Sequence, residues 1–330
     1  MQITSRIKNK LKRTFIDLIF LLHAEKLIIK RKKINVIIMY HGIDLNENKK
    51  FNSRFIGVKN FKKQILFFKK HTNIISLQDF LNKKFNPNKS NIAITFDDGF
   101  LNNYKYAFPI LEKYEIPSTI YVTSLNQTKY DIIWPDFVDL ASYHSSSSIK
   151  IDNVEFVKNS FGKYYSNELS LTLNEKIKKE GDFRYKEKVF VAFNDLNLNF
   201  KSNEKYFDNW QLMNDDQIKE IDKSKFVKIE SHAYWHNNLG NIPIKEAIIE
   251  LKKSKEYLEN LLHREINELA YPDGSYTREL ITEAENIGYK YQLAADGYNY
   301  NEDILDKRIH DRTGLYPSVS WCNQLIELYK

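Results

Sequence analysis

From Val36 onward the chain alternates short apolar runs with segments whose apolar residues recur at helical spacing, the pattern of repeated βα units around a parallel sheet. The runs are Val36–Tyr40, Ile92–Phe96, Ser118–Thr123, Phe226–Glu230, Leu269–Tyr271 and Tyr291–Ala294. Between them, Phe61, Ile65 and Phe68 mark one helical face, and Ile244, Ile248, Leu251, Leu258 and Leu262 mark another. A third helix carries Leu280, Ala284 and Ile287, with Gly288 where a left-handed cap would end it. A length of 330 residues with 42% apolar content is enough for one large α/β barrel or two modest domains around a buried core.

The rhythm breaks between about Tyr130 and Asn209, where a serine run at Ser145–Ser148 and pieces such as Val154–Val157 and Glu187–Phe193 mix strand and helix character. This stretch reads as an α+β insertion between barrel elements. Its aromatic residues, Trp134 and Trp210 among them, fit packing better than sugar stacking.

Residues 1–35 form a separate, basic segment. Arg6, Lys8, Lys10, Lys12 and Arg13 precede the apolar run Phe15–Leu22, which is too short to span a bilayer. The following His23-Ala24-Glu25-Lys26 lacks the small-x-small pattern of a cleaved signal peptide. Ile3, Ile7, Leu11, Leu18 and Leu22 recur at helical spacing, so residues 1–33 suit either an amphipathic helix on an anionic membrane surface or a helix packed on the domain. The expected location is cytoplasmic, with the inner face of the membrane in reach. A single cysteine, Cys322, excludes an intrachain disulfide and a cysteine-rich zinc site. The formal charge of +7 would suit an anionic partner, but 50 basic residues are interleaved with 43 acidic ones and no nucleic-acid-binding signature accompanies them. Nucleic acid is therefore not an expected partner.

The chemistry concentrates at two strand ends. Ile92-Ala93-Ile94-Thr95-Phe96 runs into Asp97-Asp98-Gly99, two carboxylates at the C-terminal end of a strand, where α/β barrels carry their active sites. By itself such a sequence is as readily a plain turn. Phe226–Glu230 runs into Ser231-His232-Ala233-Tyr234-Trp235-His236, and if this segment is helical the two imidazoles share one face and can bind one cation. Either member of the Asp97/Asp98 pair would complete a His-His-carboxylate set, leaving the other free to act as a base.

These motifs resemble those of the polysaccharide deacetylase family, carbohydrate esterase family 4. Its Thr-Phe-Asp-Asp-Gly motif stands as Thr95–Gly99 and its His-x-x-x-His motif as His232–His236, in the family's order. The likeness extends to Met39-Tyr40-His41-Gly42, to the Phe61–Phe80 region and to Ala270-Tyr271-Pro272-Asp273-Gly274, and it covers roughly Val36–Thr123 and Phe226–Arg312. The resemblance implies a distorted (β/α) barrel with fewer strands than the eight of a closed barrel, interrupted by the 130–209 insertion within residues 36–330. It implies Asp97 as catalytic base and Asp98, His232 and His236 as ligands of one divalent ion, with Zn2+ expected.

Several positions depart from the family pattern. Ala233 stands where Ser or Thr is common. Around Tyr271-Pro272-Asp273 the arginine that tethers the base is missing, so Arg308 is the candidate substitute, and the Asp273 N–H is the candidate oxyanion donor. The proton donor to the leaving amine has no clear match; His41 and His310 are the candidates. The implied reaction is hydrolysis of an acetyl group, foremost N-acetyl, on a sugar of a bacterial-type surface polysaccharide, lipopolysaccharide or precursor. The acetylated substrate would be polymeric, lipid-linked or nucleotide-linked. The competing readings are a glycan-binding module without turnover and a glycoside hydrolase using Asp97 and Asp98 as its acid pair, for which adjacent acids are poorly placed.

Overall fold

The structure, a computed structural model, describes residues 14–16, 18, 32–45, 52–145, 148–194 and 199–329. The proposed membrane-surface segment, residues 1–33, lies almost wholly outside the described residues. Among the described residues no helix is long and apolar enough to cross a membrane.

Among the described residues there are fifteen strands: β1 (Asn35–Tyr40), β2 (Ile43–Asp44), β3 (Ile56–Gly57), β4 (Asn73–Ile74), β5 (Asn91–Phe96), β6 (Ser118–Val122), β7 (Ile149–Ile151), β8 (Val154–Lys158), β9 (Tyr164–Ser166), β10 (Leu171–Thr172), β11 (Val227–Ser231), β12 (Glu268–Ala270), β13 (Tyr291–Leu293), β14 (Ile309–His310) and β15 (Thr313–Gly314). Nine of them make one sheet in the order β14-β13-β12-β11-β6-β5-β1-β15, with β4 paired to the start of β5. Every pairing in it is parallel. Parallel strands need helical crossovers, so both faces are covered and the strands read as continuous apolar runs. β5 is the clearest case, buried at every position.

The sheet curls into a distorted (β/α) barrel whose path ends at β14 on one side and β15 on the other. That path has eight strands where the resemblance implies fewer. The difference comes from the two-residue strands β14 and β15, which are too short to produce any periodicity.

The helices on this sheet follow their sequence stripes, with one informative shift. Val58–His71 buries Phe61, Ile65 and Phe68, and Arg278–Ile287 is capped by Thr277 Oγ at one end and by Gly288 at φ 107° at the other. The helix Ile244–Leu262 buries Ala247, Glu250, Leu251, Ser254 and Leu258, whereas Ile248 and Leu262 are only partly covered. A carboxylate thus occupies the core-facing stripe.

Between β6 and β11 the chain builds a second core. Strands β7 to β10 form an antiparallel sheet, and the helices Trp134–His144, Leu173–Glu180 and Phe183–Asn194 pack with it. Phe137, Phe156, Phe193 and Tyr164 are buried in this cluster, which runs from Ile132 to Trp210. The Glu187–Phe193 piece is helical. Trp210 is buried in this core, and its indole lies under the Lys201 ammonium.

Candidate active site

Because the sheet is parallel, all its strands deliver their C-terminal ends to one rim. Asp97 continues the β5 ladder, its N–H donating to Tyr40 O at 2.9 Å. Asp98 then turns into the left-handed region at φ 77°, followed by Gly99 at φ 76°. A Cβ on Gly99 would stand 2.9 Å from Val122 Cγ1, so glycine is required there both for conformation and for space. The left-handed step at Asp98 breaks strand alternation and lets both carboxylates line the same pocket of about 250 Å³.

The two acids meet different partners. Asp97 is gripped by the Arg312 guanidinium in a two-pronged pair, 2.6 Å to Oδ1 and 2.8 Å to Oδ2. Arg312 is fully buried, and its Nε donates to Ala294 O at 2.9 Å. Asp98 divides its oxygens: Oδ1 lies 3.3 Å from His232 Nε2 and 3.1 Å from His236 Nε2, while Oδ2 accepts from Arg54 at 3.0 Å. Arg54 also reaches Asp136 Oδ1 at 2.6 Å, on the first turn of the inserted helix Trp134–His144.

Asp98, His232 and His236 bring one ligand atom each within 4.8 Å of one another. The His232 ring is oriented by its Nδ1, 2.8 Å from Ala270 O, which turns Nε2 toward Asp98. A carboxylate oxygen and two imidazole nitrogens, buried and converging, fit a divalent cation such as zinc, and a carbonyl behind the histidine is the usual second support of such a ligand.

Burial raises the cost of every charge here, and the neighbours decide the outcome. Burial alone would lift Asp97, but the adjacent Arg312 and His232 hold it below the ordinary carboxylate value. Asp98 is likewise opposed by burial yet held well below that value by hydrogen bonds with His232 and His236. Burial would depress His232, and Asp97 and Asp98 together raise it instead. His236 stays below its ordinary value because burial prevails. Burial also pushes His41 down to about 4.

The ligand loop is not helical. After His232, whose N–H donates to Val122 O at 2.9 Å, Ala233 takes φ 61° and His236 takes φ 53°. The two imidazoles meet across an irregular loop, at 5.1 Å between ring centroids, and not as neighbours on one helix face.

Other sequence expectations divide. His41 lines the pocket with the paired acids, as does Asp273, whose carboxylate pairs with Lys178 at 2.7 Å. Arg308 does not meet Asp97: its guanidinium is held by Asp306 at 2.8 Å and Glu285 at 3.0 Å. Arg312 takes the tethering position assigned to Arg308. His310 sits on β14 with its ring toward Tyr291, at 6.5 Å between centroids, and does not line the pocket. Tyr271 and Pro272 are buried beneath the rim, Tyr271 OH donating to Gln292 Oε1. Trp134 and Lys178 from the insertion complete the wall, together with Tyr316. Of these, Trp134 stands out in the sequence, where packing is the favoured reading, and it is both buried and on the pocket wall; Lys178 and Tyr316 lie in stretches without strand or motif character.

The polysaccharide deacetylase family model matches residues 84–151 and 190–292, just over half of the chain. YxkH of Bacillus subtilis (strain 168), whose name assigns it to the same family, is 22% identical over 269 residues, covering 79% of this chain. The chain spans 64% of the length of that curated relative. The fold is similar to that of the Streptococcus pyogenes deacetylase PplD in complex with acetate, with a TM-score of 0.54 at 17% identity over 91% of this chain and 99% of that one. It is equally similar to IcaB from Ammonifex degensii, with a TM-score of 0.54 at 15% identity over 91% of this chain and 98% of that one. With the motifs in order, the rim assembled and the family model matched, the chain belongs to the polysaccharide deacetylase family.

Proposed function

We propose that this protein hydrolyses the acetyl amide of an N-acetylated sugar, in a surface polysaccharide, lipopolysaccharide or a linked precursor, with one divalent ion, Zn2+, held by Asp98, His232 and His236. The reaction consumes one water and yields acetate and a free amino sugar. The observation that carries the reading is the unequal treatment of two adjacent carboxylates: Asp97 is gripped by Arg312, and Asp98 faces two imidazoles.

A divalent ion bound there would lower the pKa of a water and draw electron density from the acetyl carbonyl. Asp97, kept ionised by Arg312, accepts the proton of the attacking water. Arg312 also fixes the carboxylate plane, so the base meets its proton without reorientation. The Asp273 N–H, at the turn Pro272–Gly274, is the candidate donor to the developing oxyanion. The leaving nitrogen needs a proton, and His41 is the candidate acid that lines the pocket. Burial pushes His41 down to about 4, so it is neutral at pH 7 and passes to the amine the proton that Asp97 has taken from the water, which closes the proton balance.

The test is acetate release from N-acetylated amino-sugar oligomers by the purified protein, with metal content measured in parallel. About one ion per chain and acetate release that stops on chelation and returns with Zn2+ are expected. Release that is unaffected by complete metal removal would overturn the metal-dependent reading. Bound metal and bound oligomer without any acetate would instead favour a glycan-binding module.

A further inference from the structure

The loop that carries His236 holds left-handed backbone at two residues with side chains, Ala233 at φ 61° and His236 at φ 53°. Such conformations persist only where surrounding structure enforces them. Two buried charged residues do so here. Glu250, 1% exposed on the long helix Ile244–Leu262, accepts from Trp235 N at 2.9 Å, Asn237 N at 3.2 Å and Asn237 Nδ2 at 2.7 Å. Lys186, 1% exposed on the inserted helix Phe183–Asn194, donates to the carbonyl oxygen of His236 at 2.5 Å and to Asn237 Oδ1 at 3.1 Å.

Lysine ordinarily keeps its ammonium in water, because stripping its hydration is costly. This one gives up solvent to bind the main chain of a metal-site histidine. The insertion grips the same loop twice more, through Gly181 O to Asn238 N at 3.0 Å and Lys178 O to Asn241 Nδ2 at 2.9 Å. The barrel helix holds one side of the loop and the insertion the other.

We propose that Lys186 is a positioning residue of the metal centre: by fixing the His236 carbonyl it sets where that imidazole stands, so the insertion tunes metal affinity. The proposal rests on the reading of Asp98, His232 and His236 as the ligand set. Supports one step behind a ligand typically change metal affinity by about 10- to 100-fold when removed.

The experiment measures Zn2+ affinity of the full chain by competition with a chromophoric chelator, and stability by urea unfolding of the metal-free protein. Lys186→Met should weaken Zn2+ binding by about 10- to 100-fold. It should also lower stability, because Glu250 loses its neighbouring cation. Phe156→Ala, which destabilises the inserted core without removing a partner of any of these hydrogen bonds, should leave Zn2+ affinity unchanged. Wild-type affinity in Lys186→Met, or an equal loss of affinity in Phe156→Ala, would overturn the role of Lys186 and leave the ligand set standing. A wild-type chain that binds no Zn2+ would overturn both.

Discussion

The barrel rim and the insertion contribute to one pocket by different physical routes. On the rim, parallel strands end together, so Asp97 after β5, His232 after β11 and Asp273 after β12 are aligned by the sheet itself. The insertion has no strand in that sheet. It folds around its own aromatic cluster and reaches the pocket with its edge, through Trp134, Pro135 and Lys178, and the loop beside it through Lys186. The rim can therefore supply reacting groups in fixed register, while the insertion shapes and steadies what the rim presents.

That contrast is open to direct attack, and its largest expected effect is on the rim. On the proposed mechanism, Asp97→Asn removes the proton acceptor but none of the three proposed ligand atoms, so acetate release should fall by about 100- to 10,000-fold with Zn2+ still bound. Asp98→Asn should lose the metal first and regain activity in part at high Zn2+. Full acetate release by Asp97→Asn would mean that the rim supplies its base from elsewhere.

A smaller effect separates the two cores. Phe156 is fully buried in the inserted cluster, and Phe156→Ala should cost about 3–5 kcal/mol of local stability. Hydrogen exchange should then accelerate across residues 132–210 and leave the β5 amides protected. Equal acceleration in β5 would show that the two cores unfold as one unit and that the division is only geometric.

The smallest effect lies at the seam. Asp136, on the insertion, accepts from Arg54 and Asn52, and burial pushes its carboxyl up to about 7 from the usual 3.8. The folded chain thus holds a proton there that the unfolded chain has lost. Its contribution to stability is full below about pH 4 and disappears as pH rises through about 7. Asp136→Asn cannot titrate, so the stability advantage of wild type over this variant should shrink by on the order of 2 kcal/mol between pH 5 and pH 8. Urea unfolding of the metal-free proteins at both pH values measures it, and a constant difference would remove Asp136 as a protonated group.

Much of the rim is legible in the sequence because it rests on strong local signals. The β5 and β11 runs are continuous and apolar since both faces are covered, and each leads directly into the residues that form the site. Gly99 is equally readable, being the residue a sharp turn against β6 demands. Arg312 is not readable in this way. It lies between the two-residue strands β14 and β15, and an arginine without periodic neighbours looks like any surface arginine, as the choice of Arg308 illustrates. The four-residue spacing of the histidines is compatible with a helix, yet spacing describes sequence distance and not backbone shape, and the segment is an irregular loop. Lys186 and Glu250 sit in helices rich in like residues, and only three-dimensional contact tells these from their solvated neighbours. The inserted α+β segment is visible as a break in rhythm, but its fold depends on pairings among short strands that carry little pattern of their own.

The pairing of Asp97 with Arg312 joins residues 215 positions apart, and this separation has a temporal meaning during synthesis. At the usual rate of about 5–20 residues per second, roughly 10–40 seconds pass on the ribosome between the appearance of the base and the appearance of its partner. Through that interval the nascent chain possesses the acid pair and, later, both histidines, but not the guanidinium that pairs with Asp97. A product ending before Arg312 would carry the Asp97-Asp98 and His232/His236 motifs and still lack the guanidinium that pairs with Asp97. On the proposed mechanism, the base therefore gains its counter-charge only after both motifs have been made, because the topology takes the partner of Asp97 from between β14 and β15, the two ends of the sheet path.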